Sequence, residues 1–124
     1  MNNDNDETLG RVPGPADAFH LAITHGVFGM GEREVIEYAG VVPSPEMEYL
    51  DYVSIYALQA VNKVQILTAG RMQRRVEKLN RKLSVAETMA MLSDVIKSVV
   101  PIYKAKALAD NKDFISGDEL EAGI

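Results

Sequence analysis

The chain has 124 residues, enough for one domain that buries roughly two thirds of the surface its unfolded form would expose. It has no cysteine, which excludes disulfides, thiolate metal sites and cysteine nucleophiles. The net charge of -5 is uneven: residues 1–60 set ten acids against Arg11 and Arg33, residues 61–82 set seven bases against Glu77, and residues 83–124 set seven acids against four bases.

The opening "MNNDNDET" is acidic and lacks the basic start and apolar run of a signal peptide. No segment reaches the roughly 18 apolar residues that a membrane span requires. The expectation is a soluble, cytoplasmic protein with no membrane partner. Residues 1–14, poor in apolar side chains, read as a disordered acidic tail, residues 15–109 as one helical domain, and residues 110–124 as a second acidic tail.

From Pro15 the pattern is helical, because proline suits a first turn and Ala18, Phe19, Ala22 and Ile23 form an apolar stripe. The glycines of "HGVFGMG" end that helix. A short helix over about 32–39 follows, closed by Gly40. "VVPSPEMEYL" then carries a start signal: Ser44 as N-cap, Pro45 in the first helical position, and Glu46 and Glu48 in the first turn. A long helix is therefore expected from Pro45. Its apolar residues fall on two stripes, one of Leu50, Ala57, Val61 and Val64, the other of Tyr49, Val53, Tyr56, Ala60 and Leu67.

Beyond Gly70 the seam continues through Met72, Val76, Leu79 and Leu83. A single helix over 45–82 would be about 57 Å long, too long for a compact domain, so the helix either breaks near Gly70 or projects into an oligomer. "SVAE" at 84–87 is a capping box that opens the last helix. Val85, Met89, Leu92, Ile96, Val99 and Tyr103 then repeat at spacings of four and three. A hairpin is expected with the 72–83 seam laid on the 85–103 seam, and Pro101 is expected to kink or restart its second helix. The fold class is all-α: a small bundle of two short helices, a long central helix and a hairpin partner.

"REVIEYAGV" resembles the first helix and turn of DNA readers of the lac-repressor type. The following residues depart from that pattern, since the recognition helix would hold Pro43 and Pro45 and present Glu46, Glu48 and Asp51 to the duplex, where carboxylates repel phosphate. The stronger polyanion candidate is "GRMQRRVEKLNRK". Arg71, Arg75, Lys78 and Lys82 fall along one helical face with Arg74 and Arg81 beside them.

"NKDFISGDELEAG" resembles the back half of an EF-hand loop, but its front half lacks the acids that calcium needs, which leaves a short helix capped by Ser116 on a loose tail. His20 and His25 are five apart and do not share a helical face. No metal, cofactor or catalytic constellation is expected, and the chain reads as a non-enzyme.

Two functions follow as expectations. The first is an assembly protein that self-associates through surplus apolar faces, with Tyr49, Val53, Tyr56, Met91, Val95 and Ile102 as contacts. The second is a nucleic-acid accessory protein for DNA packaging or regulation, using Arg71, Arg74, Arg75, Lys78, Arg81 and Lys82. A small inhibitor whose acidic half docks on a basic protein surface is a third.

Overall fold

The computed structural model describes residues 15–120; the expected tail at 1–14 and the end of the second tail at 121–124 lie outside the described residues. The fold is all-α. Helix α1 (Pro15–Phe28) leads to α2 (Glu32–Tyr38), a 3-10 turn (Tyr49–Tyr52), α3 (Ile55–Leu79) and α4 (Val85–Ala109). Among the described residues no strand forms, and one isolated bridge joins Lys112 to Glu119. No helix among them is long and apolar enough to cross a membrane.

Helices α3 and α4 form the expected hairpin, and α1 lies on it. Gly26 is what lets α1 approach: a Cβ there would fall 2.7 Å from Ile96 Cδ1. Ala22 and Gly26 together face the Met89–Lys97 stretch, while Phe28 at the C-terminus of α1 stacks near Phe114 (6.5 Å). Helix α1 therefore runs alongside α4 in the same direction. The C-terminus of α1, α2, the 3-10 turn, the start of α3 and the end of α4 share one end of the molecule, the base. The α3–α4 turn is the other end, the tip.

The long helix does not start at Pro45. Residues 45–46 make a turn in which the Met47 N–H donates to the Ser44 carbonyl (3.1 Å), and the Ser44 hydroxyl donates to the Glu46 carboxylate (3.3 Å) instead of capping a helix. Tyr49 decides the path: its ring packs edge-on against Phe28 (5.7 Å), its hydroxyl pairs with that of Thr24 (3.1 Å), and burial pushes its phenol pKa up. A helix from Pro45 would forgo that anchor, so tertiary packing overrides the local start signal. The working N-cap is Ser54, whose Oγ accepts from the Ala57 N–H (3.0 Å). The recognition helix of a helix-turn-helix is thereby absent as well, because 41–48 are not helical.

Gly40 closes α2 as expected, with φ +84. Helix α3 passes through Gly70 without a break, and α4 passes through Pro101, which lies on an exposed face. There the carbonyl four residues back, at Lys97, an exposed residue, loses its helical donor.

Residues 110–120 begin where the second tail was expected, and they pack on the base. Phe114 is buried, the Ser54 N–H donates to the Ile115 carbonyl (2.8 Å), and the Ser54 hydroxyl donates to the Phe114 carbonyl. The short helix expected at Ser116 does not form. The chain turns instead through Gly117 (φ +80), and Asp113 collects the N–H groups of Ile115 and Ser116 (3.1 and 2.8 Å) and the Tyr38 hydroxyl (2.9 Å). Burial alone would raise the Asp113 pKa, but these donors outweigh it and hold the carboxyl below its ordinary value.

Candidate interaction surface

The core stops well short of the tip. The last buried residue of α3 is Thr68 and the first of α4 is Leu92, so no side chain between 69 and 91 is buried. The expected pairing of the 72–83 seam with the 85–103 seam is corrected accordingly. The enclosed contacts use Ala57, Val61, Val64 and Thr68 of α3 with Leu92, Val95, Ile96 and Val99 of α4, at the level where α1 supplies a third wall. Two helices alone cannot surround a side chain. Past Thr68 the hairpin continues as an arm: eleven residues of α3, about 16 Å at 1.5 Å per residue, and the first two turns of α4.

The arm is held in shape by its own ends. Asn80, at φ 54, closes α3 in the left-handed conformation, and its N–H donates to the Val76 carbonyl. Across the turn Ser84 Oγ accepts from the Glu87 N–H (3.0 Å), while the Glu87 carboxylate accepts from the Ser84 N–H (2.8 Å), completing the expected capping box. Arg81 clamps the same carboxylate through two bonds of 2.9 Å. The Arg81 clamp, followed by the Ser84 bonds, holds the Glu87 pKa at about 2, and the Arg81 guanidinium is raised in turn.

That clamp separates the six basic candidates. Arg81 is committed to Glu87 and is not free for a partner. Lys82 lies beyond the end of α3, in the turn, so it leaves the shared helical face that continuous helix would have given it. Arg71, Arg74, Arg75 and Lys78 remain together. They form one wall of an open groove of about 440 Å³, with Leu83, Glu87, Ala90, Met91 and Asp94 along the rest of it. None of these four cations has a carboxylate within ion-pair distance among the described residues. Arg71, Arg75 and Lys78 continue, turn by turn, the face that is buried at Val64 and Thr68. The stripe that faces the interior changes from apolar to cationic where the core ends.

Beside the basic wall runs an apolar ridge. Met72, Leu83 and Met89 are half-buried, while Val76, Leu79 and Val85 are 37%, 39% and 52% exposed. Sequence periodicity alone assigned these residues to the inside of the hairpin; the signal that places them outside is the length of α1, fourteen residues against twenty-five for α3 and α4.

The six self-association candidates do not form one surface. Val95 is fully enclosed in the core, which removes it as a contact. Tyr49 and Val53 pack on that core from the base. Tyr56 donates its hydroxyl to Asp110, which raises its phenol pKa. Met91 lines the groove, and Ile102 is 55% exposed on α4.

No protein-family model, curated protein or solved structure matches this chain.

Proposed function

We propose that the protein is a non-enzymatic assembly protein that self-associates through the hairpin arm. The observation that carries this reading is the extension of the hairpin towards the tip beyond Thr68, the last buried residue of α3, and Leu92, the first of α4. Chain ordered without burial gains little hydrophobic stabilisation, yet fixing each backbone residue costs about 1–2 kcal/mol of conformational entropy. An arm that carries an apolar ridge gains that burial when it meets a second surface. The contacts proposed are Val76, Leu79 and Val85, with Ile102 and the surface expected at Tyr49 and Val53 no longer central. Native mass spectrometry of the full chain and of a Val76→Glu/Leu79→Glu variant tests it. Oligomers in the parent that are lost in the variant support the reading; a parent that remains monomeric at micromolar concentration contradicts it.

A second reading, a nucleic-acid accessory role, is favoured by the four groove cations that have no carboxylate within ion-pair distance among the described residues. It requires duplex binding that weakens steeply with salt and is lost in an Arg74→Glu/Arg75→Glu variant. The flanking carboxylates Glu77, Glu87 and Asp94 and the net charge of -5 weigh against it. Absence of duplex retention at low salt removes it.

A further inference from the structure

The base of the molecule has the inverse character of the arm. Segment 32–51 holds six carboxylates against Arg33 alone, whereas segment 71–82 holds six bases against Glu77 alone. The first four turns of α3, from Ile55 to Arg71, separate the two by about 24 Å at 1.5 Å per residue. The base also carries exposed apolar groups amid its acids, Val42 at 84% and Tyr38 at 47%. The arm places an apolar ridge beside a cationic wall; the base places exposed apolar groups among carboxylates.

We infer that the occupant of the basic groove is the acidic base of a second copy of this chain, so that copies join head to tail. The inference rests on the self-association reading and adds its polarity. Charge complementarity selects this arrangement. Arm-to-arm pairing brings two cationic walls together, and base-to-base pairing brings two sets of carboxylates together, both opposed by like-charge repulsion. Arm-to-base pairing sets Arg71, Arg74, Arg75 and Lys78 against Glu46, Glu48 and Asp51, with Val76 and Leu79 meeting Val42. A contact between two different surfaces leaves one of each free on every pair, so growth continues until a ring closes, or into an open filament where the rotation does not close.

Two charge-reversed chains test it: an arm variant, Arg74→Glu/Arg75→Glu, and a base variant, Glu46→Lys/Glu48→Lys. All four positions are solvent-exposed, and circular dichroism melts confirm that each variant folds. Sedimentation velocity is run on the parent, on each variant alone and on their equimolar mixture, at low and at high salt. Head-to-tail joining predicts that each variant alone loses association by roughly tenfold or more, that mixing restores it, and that salt weakens the parent. Two results overturn the inference while leaving self-association standing: variants that each associate like the parent, or a loss that mixing does not repair. A parent that is monomeric throughout overturns both readings.

Discussion

Ser54 ties the first turn of α3 to the segment after α4: its N–H donates to the Ile115 carbonyl at 2.8 Å while its side chain caps the Ala57 N–H at 3.0 Å and donates to the Phe114 carbonyl. One small residue therefore starts a helix and closes the base 60 residues away in sequence. Replacing it by alanine removes the cap and leaves a buried carbonyl without its donor. Ser54→Ala is expected to cost about 1–3 kcal/mol, measured by urea unfolding. A loss under about 0.5 kcal/mol would show that the C-terminal segment is not part of the cooperative fold.

Gly117 sits against the same serine. Its φ of +80 is strained for any residue with a side chain, and a Cβ there would lie 3.1 Å from Ser54 Cβ and 3.3 Å from Ser54 Cα. Gly117→Ala is expected to destabilise by about 1–3 kcal/mol, combining backbone strain with a displaced Ser54. A double variant with Ser54→Ala should lose less than the sum of the two, because displacing residue 54 disrupts hydroxyl bonds that the alanine no longer makes.

Thr68 marks the end of the core and is fully buried, and its Oγ1 has no hydrogen-bond partner among the described residues. Valine has nearly the same shape without the hydroxyl. Thr68→Val is expected to raise stability by about 1 kcal/mol, read as a shift in the denaturation midpoint at unchanged slope. Destabilisation by the valine would mean that the hydroxyl is satisfied.

Glu87 supplies the pH dependence of the arm. Its pKa is depressed from 4.5 to about 2 by Arg81 and the Ser84 donors. A depressed folded-state pKa stabilises above the unfolded value, so the clamp contributes fully above pH 4.5 and is lost as pH falls towards about 2. A carboxyl-carbon NMR titration should give a midpoint for Glu87 well below the ordinary glutamate range, rising in an Arg81→Gln variant. An ordinary midpoint in the parent would exclude the clamp.

Val95 and Ile102 are two helical turns apart on α4, yet the first is enclosed and the second open. Val95→Ala should cost about 2 kcal/mol, and Ile102→Ala less than about 0.5 kcal/mol, in parallel unfolding curves. Equal costs would contradict the burial assigned to them.

What could be read from residue order alone divides along a physical line. Features decided within one turn of helix were legible, the Ser84–Glu87 capping box and Gly40 closing α2, and so were the hairpin and the all-α class, which long helical periodicity carries. Features decided by distant contacts were not. Ser44 and Pro45 carry every local mark of a helix start, but Tyr49 bound to Phe28 and Thr24 sends the chain another way, and Ser54 becomes the cap because Phe114 and Ile115 meet it. The basic cluster was legible as a charge run, and its division was not: that Arg81 is spent on Glu87 while Arg71, Arg74, Arg75 and Lys78 share a groove follows from where α3 ends. The apolar ridge was misplaced for the same reason, since periodicity shows that Val76 and Leu79 share a face but not whether a third helix covers it.

Sedimentation equilibrium of the full chain over a range of micromolar concentrations, at low and high salt, tests self-association through the arm most directly. The expected result is a weight-average mass that rises with concentration above the 13.6 kDa of one chain and falls back towards it as salt is added. A mass fixed at one chain under every condition would contradict it.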